Sequence, residues 1–366
     1  MGGGPAALGE LIRLSRKFSN VGVVSDSFGG GMGILGDMRL QSSLAELTLE
    51  GAPASLQEYM SDRTAISPTG AEYTNYIRDC IEKLKVQKVF AKVKSIGKGS
   101  SENQFFADAV SVSGVAHRLR ARSVILATGV KPKEPASNIL LCPWVSCFQT
   151  YEMLSMGKTA YFRGKSVAII GSGNTAYQLA HALTRVAKDV TLLIRGYVGV
   201  YPVEVEDRFA LRAQSVLTLA LVAKSAEMHT CGGPLNPSSS LLSRVWLHVY
   251  DALSVDVEQG AVCAQIPPPT NQHRLLKASV VGAVRCGSLR PADDGGYIWR
   301  RPIADTVVIS AIGVTADVPE LQWQNLTVPK TGYIKHVAGE TAVDGLYVAG
   351  GAAGYASVNE MIPVSA

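Results

Sequence analysis

The alternation of apolar and polar positions divides the chain into two runs with a similar order of elements. In the first, a glycine turn opens a helix over residues 6–17, and a short apolar strand at 21–25 leads to a second glycine turn at 29–33. Residues 40–85 are mixed until a helical pattern at 71–85, which begins after the breaker Pro68-Thr69-Gly70. Runs at 89–96, 104–111 and 116–120 read as strands, and 123–127 as a fully apolar strand ending in Thr128-Gly129. Residues 131–141, with Pro132 and Pro135, read as a linker. The second run begins near residue 160. It has an apolar strand at 166–170, a glycine turn, a helix to about residue 188 and a strand at 190–194. Helical patterns are expected at 205–225 and 238–253, and Ile266-Pro267-Pro268-Pro269 breaks them from later strands. A strand beginning at Thr306 leads to Gly313, and another at 345–349 leads to a further glycine cluster.

Composition narrows the class. The chain has 366 residues, of which 47% are hydrophobic and 18% charged, as in a soluble protein with a large core and two domains. Its 36 glycines cluster beside strand-like runs, where backbone turns tightly around a ligand. The net charge of +5 is spread without a basic block, so nucleic-acid binding is not expected. Arg118, Arg120 and Arg122 alternate as a solvated strand face does. Six cysteines in a chain this long do not make a disulfide framework, and without a CxxC pair their spacing does not fit a zinc site. No run reaches the about 20 apolar residues that span a bilayer, and no leader precedes the first motif; a cytoplasmic location is the expectation. Asn325-Leu326-Thr327 then matches the glycosylation pattern by chance.

The two glycine turns carry the chemistry. Gly2-Gly3-Gly4-Pro5-Ala6-Ala7 and Gly171-Ser172-Gly173-Asn174-Thr175-Ala176 are both G-x-G-x-x-A. In such a turn the first glycine makes the tight strand-to-helix corner, the second lets a pyrophosphate approach the backbone, and the third small residue lets helix and strand pack closely. The helix N-terminus offers free N–H groups to the phosphates. Asp26 and Arg195 stand equally far beyond the first glycine of their turns, where an adenosine ribose would lie. Asp26, with Ser25 as the alternative, suits a ribose diol and hence FAD. Arg195 suits a 2′-phosphate and hence NADPH.

With these residues the chain resembles the FAD/NAD(P)-dependent oxidoreductases with two dinucleotide-binding domains, a group that includes flavin-containing monooxygenases and thioredoxin reductases. Ser123-Val124-Ile125-Leu126-Ala127-Thr128-Gly129 is similar to the family's "ATG" strand, and Val308-Ile309-Ser310-Ala311-Ile312-Gly313 to a second one. Gly345-Leu346-Tyr347-Val348-Ala349-Gly350 resembles the last flavin-contacting strand, and the segment 89–93, ending in Val93, the part that meets the adenine. The resemblance implies an α/β fold of two Rossmann-like domains, with residues 1–150 and 302–366 binding FAD and an inserted NAD(P)H domain over 160–300. It also implies a strand before Gly2, where only Met1 stands, with weaker flavin binding where that strand is lacking, and a long helix after the last glycine cluster. Gly351 occupies the position where the family usually has an aspartate for the ribityl chain.

The implied function is transfer of hydride from NADPH to FAD, monooxygenase-like, on a small-molecule substrate. The alternatives are a reductase passing electrons to a disulfide or other acceptor, and a nucleotide-binding module without activity. A disulfide reductase of this group would need a cysteine pair beside the flavin. Residues 29–37 have none, and Cys142 and Cys147 lie too far upstream of the second turn, so unreactive thiols are expected there. The linker Cys147-Phe148-Gln149-Thr150-Tyr151 is similar in part to the monooxygenase linker, with Gln149 where a histidine would stand. Gln149 and Asn174 are candidates to hold the nicotinamide side, and no histidine is assigned to catalysis.

Overall fold

The computed structural model describes residues 1–195, 244–268 and 289–355, except 41, 100–103, 138, 251 and 330, together with 280, 283, 284 and 287. The chain forms two compact units, Met1–Lys131 with Val314–Ala366 and Pro132–Gly313. These limits differ from the expected ones near 150–160 and 300–302. Strand Trp144–Ser146 and strand Thr306–Ser310 pair with each other inside the second unit, which draws both segments into it.

In the second unit a five-stranded sheet holds Ser166–Ile170 between Asp189–Ile194 and Thr306–Ser310, all parallel. Every residue of these three strands is buried, as expected of a parallel sheet covered on both faces. The helix after the second glycine turn runs Asn174–Leu183, shorter than expected. Residues 238–253 were expected to be helical. Instead Arg244–Val249 is a strand paired along Asp189–Ile194, and Ala252–Asp256 starts an antiparallel sheet. Leu241, Val245 and Val249 repeat at helical spacing, but Val245, Trp246 and Val249 are residues that favour strands, and sheet pairing prevails. The expected helix at 205–225 lies outside the described residues. The antiparallel sheet carries the fully buried Trp299, which joins Ala168, Ile170 and Leu193 in one core.

In the first unit the helix spans Pro5–Ser15, with proline at the first helical position, where its missing N–H is no loss. A second helix, Gly70–Lys83, opens with a capping box in which Thr69 and Glu72 satisfy each other's backbone N–H groups. The apolar run at 89–96 is split. Gln87–Phe90 pairs with Gly22–Ser25, and Lys92–Lys98 joins an antiparallel sheet with Phe105–Val110 and Ala116–Ala121. Val124–Leu126 pairs with Leu346–Val348. Met1 bridges the two parallel pairs: Ala127 N–H donates to the Met1 carbonyl at 2.7 Å, and Gly2 N–H to Val24 O at 2.9 Å. Ile170 and Gly171 make the same bonds in the second unit, from Ala311 N–H and to Leu193 O, both at 2.9 Å. Met1 thus holds the position that Ile170 holds at the end of its strand.

Candidate functional site

Each glycine turn is shaped by a carbonyl. At Gly2, with φ +113°, a Cβ would lie 2.1 Å from Ala127 O; at Gly171, with φ +135°, 2.3 Å from Ala311 O. Both contacts are with backbone that cannot rotate aside, so only glycine fits. The neighbour Gly3 is equally constrained, its Cβ falling 2.2 Å from Ser27 O.

Gly4 and Gly173 differ in kind. Both have ordinary negative φ values, −94° and −79°, and each caps its helix with no side-chain hydrogen bond. Among the described residues, a Cβ on Gly4 would touch only Gly30 Cα at 3.5 Å, and one on Gly173 nothing within 4 Å. The fold therefore does not require glycine here. What these residues keep clear is the approach to two helix starts that are capped by a glycine with no side chain of its own, which is the geometry that receives a pyrophosphate. The third small residues pack as their role demands. Ala6 and Ala7 lie against Ala127 and Ala349, and Ala176 is fully buried, with Thr175 half-buried before it. Asn174 is the first residue of its helix.

Asp26 is exposed just past the strand Gly22–Ser25. Ser25 is buried, and its hydroxyl is engaged in a local turn, donating to Ser27 O at 2.7 Å and accepting from Ser27 N–H at 3.3 Å. Asp26 is therefore the accessible acceptor of the two. Arg195 is exposed just past the strand Asp189–Ile194. Its charge acts on Tyr250, whose phenol is raised by burial and drawn partly back by the guanidinium. Tyr250 is fixed there by its N–H on Ile194 O at 3.0 Å. Tyr250 carries no signal in the sequence pattern, because it follows the strand Arg244–Val249, whose spacing is helical. Nor does Phe90, an exposed ring set edge-on against Phe28 at 4.5 Å at the end of the adjoining strand.

The remaining motif residues fall at strand ends. Thr128 Oγ1 is buried and has no hydrogen-bond partner among the described residues. Gly129, at φ +79°, follows it with open space at its Cβ position, and Gly313, at φ +100°, is its counterpart in the second unit. Gly350, at φ +64°, turns the chain after Leu346–Val348. A Cβ on Gly351 would lie 2.8 Å from Val130 Cγ1 and 3.4 Å from the Gly129 backbone, so a larger residue there would require the Val130 side chain to move. Val93 is half-buried at a β-bulge and packs toward Val24 and Ala91, which leaves its backbone as the part able to meet a ligand.

Gln149 Oε1 accepts the Ser146 N–H at 2.9 Å, completing the cap of the helix Cys147–Ser155, so its amide is engaged in the fold. Cys142 and Cys147 are buried. Burial raises both thiols, Cys147 to about 11, and Cys142 Sγ donates to Ile139 O at 3.1 Å. Among the described residues no cluster of His, Cys, Asp or Glu could hold a metal. No helix among them is long and apolar enough to cross a membrane.

Two helix starts, each behind a glycine corner and each followed by a parallel strand, give the two units the same cradle-like geometry. Residues 1–215 match the model of the pyridine nucleotide-disulphide oxidoreductases, and the chain belongs to that family. Over 204 residues it is 28% identical to an NADH dehydrogenase of Ferdinandcohnia aciditolerans, a match covering 53% of this chain and 31% of that protein. The chain thus spans about a third of the length of the curated relatives it matches. Among solved structures it is similar to the bacillithiol disulfide reductase Bdr (YpdA) from Bacillus cereus, with a TM-score of 0.65 and 15% identity over 98% of this chain and 91% of that one. It is also similar to DfoA, a cadaverine monooxygenase from Erwinia amylovora solved with FAD, with a TM-score of 0.57 and 17% identity over 95% and 86%. At these identities the structures establish the shared fold. Proteins of this family use FAD and NAD(P)H, and the open approaches at Gly4 and Gly173 and the orphaned Thr128 hydroxyl fit such groups.

Proposed function

We propose that the first glycine turn takes FAD, that the second takes NADPH, and that the protein passes reducing equivalents to oxygen and a small-molecule substrate, in the manner of a monooxygenase. FAD, when bound, accepts hydride and supplies the oxygen chemistry. The chain's own residues bind and orient. Gly4 and Gly173 admit the two pyrophosphates, Asp26 accepts from one ribose, and Arg195 pairs with the 2′-phosphate of the other.

The observation that carries the choice over disulfide reduction is the state of the thiols among the described residues. The sequence has no CxxC pair, and Cys142 and Cys147 are buried with raised pKa values, the opposite of a nucleophilic thiol. The test is oxygen uptake by the FAD-loaded protein with NADPH, beside reduction of a disulfide probe. Oxygen consumption that matches NADPH oxidation, with no thiol released from 5,5′-dithiobis(2-nitrobenzoate), supports the proposal. Disulfide turnover that is lost in Cys147→Ser overturns it.

A further inference from the structure

His336 lies outside every glycine motif, yet it joins two segments around one of them. Gly339 N–H donates to its Nδ1 at 3.1 Å, so that nitrogen carries a lone pair. Its Nε2 faces the carbonyl of Ala353 at 3.1 Å, and a carbonyl only accepts. The hydrogen-bond network therefore assigns the donor role to Nε2 and the acceptor role to Nδ1. Gly339 in turn receives Val348 N–H on its own carbonyl at 2.9 Å, at the end of the strand Leu346–Val348. Ala353 closes the turn Gly350–Ala353, which that strand leads into.

This turn is a wall of the first glycine cradle. Ala349, immediately before it, packs on Ala6, Ala7 and Ala127, and a Cβ added at Gly351 would meet Val130 Cγ1 at 2.8 Å and the Gly129 backbone at 3.4 Å. Its outer side is held by Ile334 N–H on Ala352 O at 2.9 Å and by the imidazole on Ala353 O. The ring of Tyr333 backs Gly354, and that of Tyr355 lies 6.0 Å from the imidazole, centroid to centroid.

We infer that His336 is a positioning residue for FAD, acting through the Ala353 carbonyl to hold the Gly350–Ala353 turn against the cradle. The inference rests on the proposed assignment of the first cradle to FAD. Two variants separate its two bonds. His336→Asn keeps an acceptor near Gly339 and removes the donor to Ala353. His336→Gln keeps an amide donor near Ala353.

The experiment strips flavin from the protein, titrates FAD back by quenching of flavin fluorescence, and records NADPH affinity and melting temperature beside it. Loss of one or two hydrogen bonds to backbone in His336→Ala and His336→Asn should weaken FAD at least about fivefold, with NADPH affinity unchanged and His336→Gln close to wild type. Wild-type FAD affinity in His336→Ala or His336→Asn overturns the inference, even if either melts lower, because the histidine would then be structural only. Equal loss in His336→Gln and His336→Asn overturns the role of the Ala353 carbonyl. A wild-type protein that takes up no FAD overturns the cradle assignment itself, and this inference with it.

Discussion

The glycines of the second turn separate folding from nucleotide binding, because Gly171 and Gly173 face different neighbours. In Gly171→Ala the new methyl would stand 2.3 Å from Ala311 O at φ +135°. The positive φ costs about 1–2 kcal/mol, and the overpacking against fixed backbone about 1–3 kcal/mol. The sum of about 2–5 kcal/mol should lower the melting temperature by roughly 4–20 °C and weaken NADPH binding as well. In Gly173→Ala the methyl meets nothing within 4 Å, and φ is an ordinary −79°. The protein without nucleotide should therefore melt within about 2 °C of wild type, the residual change being the poorer cap that alanine makes. With NADPH present, the same methyl stands where the pyrophosphate approaches. An overpacking cost of about 1–3 kcal/mol there corresponds to a Kd raised roughly 5- to 150-fold. Differential scanning fluorimetry and calorimetric titration with NADPH measure the two effects. Wild-type NADPH affinity in Gly173→Ala would refute the reasoning, as would an unchanged melting temperature in Gly171→Ala.

Two further outcomes follow from Arg195 and Cys147. Arg195→Ala should raise the Michaelis constant for NADPH at least about tenfold while changing that for NADH little, since one charge-assisted contact to the 2′-phosphate is removed; equal changes in both would sink that role. For Cys147, burial lifts the folded thiol to about 11 from an ordinary 9. At pH 8 its thiolate fraction, and with it iodoacetamide labelling, should be about 100-fold below that of the unfolded chain. Labelling should rise as pH climbs from 9 toward 11, and fast labelling of the native protein at pH 8 would contradict the burial.

The residues most legible in the sequence are those where backbone geometry leaves one choice. Gly2 and Gly171 sit against carbonyls that exclude any Cβ, so the motif and its reason coincide. The buried strands Ser166–Ile170 and Asp189–Ile194 were visible for a related reason: a strand covered on both faces is apolar throughout. Partner choice was not legible. Nothing in the pattern at 89–96 marks Ala91 as the point where the chain leaves one sheet for another, since both halves alternate as strands do. Arg244–Val249 becomes a strand by pairing with Asp189–Ile194, a contact between residues far apart in the chain, and Tyr250 reaches Arg195 only through it. Gln149 had two possible uses, and the helix start took its carbonyl. His336 carries no local signal at all, because its meaning lies in Gly339 and Ala353.

The most direct test of the central claim is the visible absorbance spectrum of the purified protein supplied with FAD, recorded under nitrogen before and after NADPH. A protein with an FAD cradle and an NADPH cradle shows flavin bands that bleach on NADPH addition and return when air is admitted. A protein that stays colourless with excess FAD would contradict the account, and so would flavin bands that NADPH leaves unchanged.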